Sequence, residues 1–365
     1  MRYACTDRGR GFAGASRNLQ ETAMSVLLEV ESLKKHYVLS GQGPSDNPLV
    51  RWVRQRLTSA EDHTPVLHAV DGVSFEINAG ESLGLVGESG CGKSTLVGML
   101  ARLSDKSEGR ISFAGRDIGE VPSKVFHAEP ERTDIQIVFQ DPHESLNPRF
   151  TSFDTIAEPL KRLKGITDKA ELTKMVEAVA EQVDLPKMLL SRFPHQLSGG
   201  QKARVNIARA VAVEPKLLIL DEPTSALDVS VQAVILKLLV RLKNDLGMSY
   251  LFVSHDLNVV RLLCDRVIVM YLGQIVESGP AEEIFTRPAH PYTKALISAI
   301  PNAASAGNER VRLTGDPKSP IDPDPNACRF HGRCPMGEDK CSRAAPPQIS
   351  VTADHYAVCH FAQPS

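Results

Sequence analysis

The mixture of apolar and polar positions in LLEVESLKKHYVL (27–39) reads as a strand. The pattern lapses between Ser40 and Pro65 into a Gly-, Pro- and polar-rich stretch that carries the only tryptophan, Trp52, and predicts an inserted loop over 40–65. Strand character returns in VLHAVDGVSFEI, turns at Asn78 to Gly80, and resumes as ESLGLVG; from Lys93 the segment LVGMLARL is helical, and GRISFAGRDI predicts a strand pair. Beyond Gln140 the character changes. Leu172, Met175, Val176, Val179 and Val183 recur at helical spacing, Asp168 stands three residues before Glu171 in a capping arrangement, and a helical subdomain is expected over about 141–200. The sheet then resumes with KLLILDE, a helix from about Val229 to Leu246, the strand SYLFVSH, a short helix, and RVIVMYLGQIVESG. Strands alternating with helices predict an α/β fold with a largely parallel sheet. After Gly279 the sequence turns rich in Pro, Ala and Gly, predicting a separate C-terminal appendage with little core of its own.

Composition adds exclusions. With 365 residues, 42% hydrophobic and 24% charged, the chain is ordinary for a globular protein of one large domain or two, and its net charge of -2 gives no general reason to expect a nucleic-acid partner. No run approaches the roughly 18 uncharged apolar residues of a membrane span; the richest, VSVQAVILKLLV, is broken by Lys237. The first 23 residues lack an apolar block, make a poor signal peptide, and read as a disordered extension over 1–23. Of seven cysteines, four (Cys328, Cys334, Cys341, Cys359) fall in the last 38 residues; an odd total without a secretion signal points to a reduced compartment and a local thiolate site.

Three segments carry chemistry. GESGCGKS fits G-x-x-x-x-G-K-[ST] between a strand and a helix. Glycines there let the backbone of Gly87, Glu88, Ser89, Gly90, Cys91 and Gly92 fold into a nest of N–H groups facing phosphates. Lys93 then reaches the outer phosphates, the Ser94 hydroxyl ligates magnesium, and Thr95 follows in the helix. LLILDEP ends an apolar strand in two acids: Asp221 suits magnesium, directly or through water, and Glu222 suits orienting and deprotonating an attacking water. LSGGQ (197–201) opens a helix, so Ser198, Gly199 and Gly200 offer a second set of backbone N–H groups to an anion. Cys91 needs no particular side chain and reads as a neutral filler; the competing reading is a thiol with a lowered pKa at the helix N-terminus, open to alkylation and protected by ATP. The tail spacing C-x5-C-x6-C-x17-C matches neither zinc ribbons nor the ferredoxin run, so four thiolates leave zinc and an iron–sulfur cluster equally open, with unligated thiols as a third reading.

GESGCGKST, Gln140, LSGGQ, LLILDEP, SALD (225–228) and His255 occur in the order seen in ATP-binding-cassette (ABC) ATPases, which this chain resembles over residues 24–279. The resemblance implies a P-loop ABC core with a β-subdomain and a helical subdomain, two cassettes facing head to tail, and each ATP held between the nest of one and the LSGGQ of the other, Gln201 included. It further implies that Gln140 senses magnesium and the attacking water, that Asp228 lies at the dimer interface, that His255 contacts the terminal phosphate, and that Tyr37 stacks on adenine. KARVN after LSGGQ departs from the more arginine-rich stretch common in that family. QDPHESLNPR, MYLGQIVESG, EEIFTRPAHPYTKALISAIP and RFHGRCPMGEDKCSRAAPPQ resemble the ATP-binding subunits of oligopeptide and dipeptide importers, a likeness that implies a start at Met24 and a C-terminal extension over 280–365. That likeness implies a nonidentical second ATP-binding subunit, two transmembrane permease subunits, a solute-binding protein acting through them, a peripheral position on the cytoplasmic side of the inner membrane, and a four-iron, four-sulfur cluster with His331, His355 and His360 as bystanders. Importers of nickel or a glutathione-like solute, and an accessory ATPase of phosphonate carbon–phosphorus lyase, share the same motifs.

Overall fold

The computed structural model describes residues 25–39, 64–142, 144–300, 311, 313, 315 and 319–364. The extension expected over 1–23, and the inserted loop except for its last two residues, lie outside them.

The first two strands, β1 (Val26–Val38) and β2 (Val66–Asn78), pair antiparallel. Leu28, Val30 and Leu33 are buried with Val70, Val73 and Ile77, so the apolar positions of both strands share a face. After β3 (Ser82–Val86) and α1 (Lys93–Leu100), β4 (Glu108–Phe113) and β5 (Arg116–Asp117) complete a four-stranded sheet in the order β2-β1-β4-β5.

The strand β6 (Ile135–Val138) enters a second sheet, and the chain then forms α2 (Ser152–Leu163), α3 (Lys169–Gln182) and α4 (Gly199–Val211). Each start has a chemical reason. Thr151 and Asp154 form a reciprocal capping box on α2, the Asp168 carboxylate accepts the Glu171 N–H at 2.8 Å as its spacing predicts, and Ser198 with Gln201 caps α4. α3 buries Leu172, Val176 and Val179 toward a cluster shared with Ile156, Leu160 and Ile207.

The elements that follow include β7 (Leu217–Asp221), α5 (Val229–Leu246), β8 (Ser249–Val253), α6 (Leu257–Leu263), β9 (Arg266–Tyr271), β10 (Gln274–Pro280), α7 (Ala281–Thr286), α8 (Pro291–Ser298), β11 (Gln348–Ser350) and β12 (Tyr356–Val358). They build an eight-stranded sheet ordered β11-β12-β10-β9-β3-β8-β7-β6. Its centre, from β9 to β6, is parallel, and β3 and β8 are buried along their whole length, as strands covered on both faces must be.

The sheet differs from expectation at one end. β10 runs antiparallel to β9, β12 pairs with β10 through Glu277 opposite Ala357 and Ser278 opposite Tyr356, and β11 pairs with β12. The tail is therefore not a separate appendage: it continues the main sheet, and Phe330, 1% exposed, packs its ring 5.2 Å from Tyr271 and 5.5 Å from Tyr292. A segment too poor in apolar residues for its own core gains stability by closing an existing sheet edge. Among the described residues, no helix is long and apolar enough to cross a membrane.

Candidate nucleotide site

The nest follows β3, and its two constraining glycines have tertiary reasons. A Cβ on Gly87 would meet the Met270 carbonyl oxygen at 2.2 Å, and one on Gly92, which adopts φ 107°, would meet the Ala69 carbonyl oxygen at 2.2 Å. Only glycine fits where the loop presses on neighbouring backbone. The Lys93 ammonium donates to the carbonyls of Gly87 at 2.7 Å and Glu88 at 3.0 Å, which closes the loop on itself. Cys91 is buried beneath it, 3% exposed, and burial pushes its thiol pKa up, only partly offset by Lys93. The filler reading is the one the packing supports, and the low-pKa, alkylation-prone thiol is corrected by it.

Opposite the nest, β7 delivers Asp221 and Glu222. Glu222 sits in the left-handed region at φ 47°, with its N–H on the Val253 carbonyl at 3.0 Å, so the chain turns sharply where the carboxylate is presented. One carboxylate oxygen, Oε2, accepts from Gln140 Nε2 at 3.1 Å and lies 3.0 Å from His255 Nδ1. Residues 140, 222 and 255, distant in sequence, thus converge on a single oxygen. Burial, and then the charge of Glu222, raise the pKa of Asp221, with Lys93 opposing; a cation placed there removes that penalty.

Ser94, Gln140, Asp221, Glu222, Ser225 and His255 line an open cavity of about 890 Å³. A neighbouring one of about 420 Å³ shares Ser94, Gln140, Glu222 and His255 and adds Ser89, Gly90, Gly92, Lys93 and Thr95, together with Leu67, Ala69 and Pro320. Sequence reasoning missed those last three. Alternation along VLHAV places Leu67 and Ala69 on one face, a usable signal, whereas nothing local marks Pro320.

Other expected residues stand elsewhere. Ser198, Gly199, Gly200 and Gln201 line neither cavity; they open α4, where a Cβ on Gly200 would meet Val231 Cγ1 at 2.7 Å. Asp228 caps α5 by accepting the Val231 N–H at 3.0 Å and also lines neither. Tyr37, 41% exposed, pairs with Leu67 across the β1–β2 ladder but does not line the cavity itself.

The tail reaches the nest directly. The Glu88 N–H donates to the Tyr292 hydroxyl at 2.8 Å, and Arg333 grips the Glu88 carboxylate with both terminal nitrogens, at 2.7 and 3.1 Å. One residue on, Cys334 is half-buried, like Cys328, while Cys341 and Cys359 are buried. Burial pushes the Cys328 thiol up to about 11, with Cys341, Cys334 and Cys359 adding to the shift, and burial followed by Cys359 and Cys341 raises Cys334. The four thiols share one neighbourhood, yet no three of their sulfur atoms lie within 4.8 Å of one another. His360 Nε2 lies 3.0 Å from the Ala344 carbonyl, and the ring nitrogens of His355 face Glu277 and Glu283.

Comparison with known proteins follows the same division of the chain. A family model described as ABC transporter matches residues 70–225, and one described as oligopeptide/dipeptide transporter, C-terminal region, matches residues 276–341. A probable peptide ABC transporter ATP-binding protein of Sinorhizobium fredii is 42% identical over 341 residues, 93% of this chain and 91% of that protein. The oligopeptide transport ATP-binding protein OppF of Haemophilus influenzae is 45% identical over 296 residues, 80% of this chain and 88% of that protein. Among solved structures, an ATP-binding cassette in a dimeric, post-hydrolysis state bound to ADP and Pi superposes with a TM-score of 0.58 at 26% identity, covering 70% of this chain and 99% of that one.

Proposed function

The chain belongs to the ABC transporter family of ATP-binding subunits, and from that premise we propose that it powers uptake of peptides through a membrane permease. It is an ATPase that uses ATP with Mg2+. The observation that carries the mechanism is the convergence of Gln140 and His255 on one oxygen of Glu222.

Glu222 orients and deprotonates the attacking water, while Gln140 and His255 hold its carboxylate, Gln140 sensing magnesium and that water and His255 contacting the terminal phosphate. Lys93 and the N–H groups of residues 87 to 95 cradle the phosphates. Ser94 and Asp221, lining the same cavity, suit a magnesium ion, which supplies neutralisation of phosphate charge. Tyr37 suits stacking on adenine at the rim. Ser198, Gly199, Gly200 and Gln201, which line neither cavity, complete the site of a second, nonidentical cassette, with Asp228 at the junction; the superposed cassette, itself dimeric, supports a paired arrangement. Closure of that pair drives two permease subunits fed by a solute-binding protein, with the chain peripheral on the cytoplasmic side of the inner membrane. Peptide as solute rests on the peptide-transport relatives and on the match to the oligopeptide/dipeptide transporter C-terminal region.

The segments 24–279 and 280–365 divide the labour, the second holding a four-iron, four-sulfur cluster on Cys328, Cys334, Cys341 and Cys359. The cluster acts as a staple for a coreless segment. Brown protein with stoichiometric iron supports it, and zinc alone rejects it.

Glu222→Gln is expected to abolish turnover while ATP binding persists, measured by phosphate release and nucleotide retention. In vesicles carrying the permease, labelled-peptide uptake should stop with it. Normal hydrolysis by the variant removes Glu222 from the base role, and unaltered uptake of peptide without this chain removes the transport reading.

A further inference from the structure

Outside the nucleotide site, His36, His68 and Asp71 bring one ligand atom each to within 4.8 Å of one another, the one such group among the described residues. We propose that these three side chains form a binding site for a borderline divalent ion of the zinc class.

The site is made by an irregularity in the ladder. Lys35 faces Val70 and His36 faces His68, so Ala69 is an extra residue on β2, a bulge. In an unbroken strand residues 68 and 71 would point to opposite faces; the extra residue returns both to one face. His36 Nε2 then lies 3.0 Å from Asp71 Oδ1, His68 Nδ1 lies 3.2 Å from Asp71 Oδ2, and the two imidazole rings sit 3.9 Å apart. Two imidazoles and a carboxylate are the donor set that zinc accepts, with water as a fourth ligand. Side-chain exposures of 22%, 24% and 18% leave room for that water and an entry path.

The group also has the outer support that metal ligands require. Arg329, 8% exposed, donates to Asp71 Oδ2 and to the Leu272 carbonyl, which orients the carboxylate and leaves Oδ1 for an ion. The bulge itself is clamped: Ala69 O presses on Gly92, and both the His68 and Ala69 carbonyls press on Gly273. Leu67 and Ala69, alternating with His68, face the nucleotide cavity, so the ion would lie behind that cavity on the other face of the same strand.

The test uses the full chain and Zn2+ alone, with bound equivalents read by competition with a chromophoric chelator. The His36→Ala/His68→Ala double variant is expected to bind one equivalent fewer than the parent, with ATP binding unchanged. Equal equivalents in a variant that still binds ATP overturn the proposal and leave the group a hydrogen-bonded cluster. Should the double variant lose ATP binding, Asp71→Asn, which keeps the shape, is expected to weaken the same equivalent by about tenfold or more, and unchanged affinity overturns the site. Neither result depends on the solute or on hydrolysis.

Discussion

The centre of the eight-stranded sheet and the tail that extends it are held by different forces. In β3, β7 and β8, Leu83, Leu85, Leu218, Ile219, Leu251 and Val253 are all 0% exposed, and continuous apolar burial defines the region. The tail also buries Ala357 and packs Phe330 into that core, but charged pairs surround its attachment. Arg333 holds Glu88, Arg329 holds Asp71, and His355, 1% exposed, sits between Glu277 at 2.8 Å and Glu283 at 3.2 Å, so that each ring nitrogen meets an acceptor. Non-directional burial supplies stability, whereas directional pairs fix where the tail sits while adding little net energy; losing one partner of a buried pair is nevertheless costly.

Substitutions in the two regions should therefore fail differently. Ile219→Ala is expected to cost about 4 kcal/mol, with the whole cassette losing stability in a single denaturant transition. Glu277→Gln leaves His355 and the N–H groups of Ala289 and His290 facing a weaker acceptor; it is expected to cost about 3 kcal/mol, seen as selective proteolysis beyond Pro280 while the central sheet persists. A single global transition for both variants would erase the contrast.

Acid offers a gentler probe. Burial lowers the pKa of His290 from 6.5 to about 4, its Nδ1 accepting the Tyr292 N–H at 3.1 Å. The unfolded chain thus takes up a proton that the folded chain refuses. Stability from this group is complete above pH 6.5 and declines as pH falls toward 4, with about 2 kcal/mol lost by pH 5. Urea midpoints across that window should fall in the parent and flatten in His290→Asn; a flat parent profile denies His290 this part.

Much of the cassette was legible because its signals are local. The apolar runs of β3, β7 and β8, the spacing of Leu172, Val176 and Val179, and Asp168 before Glu171 each announce an element within a few residues. Gln140 and His255 were singled out by family resemblance and not by periodicity, and their meeting at Glu222 is visible only in the structure. What stayed hidden is long-range. Pro320 in the cavity wall, Arg333 and Tyr292 on Glu88, and the bulge at Ala69 arise from contacts that no short window contains. β11 and β12, three residues each, are too short to show a period at all.

The grip of Tyr292 and Arg333 on Glu88 makes the C-terminal segment a co-author of the phosphate loop. Chimaeras that exchange this segment between related subunits would transplant nucleotide handling along with it, so such pieces are expected to be inherited, and to diverge, together.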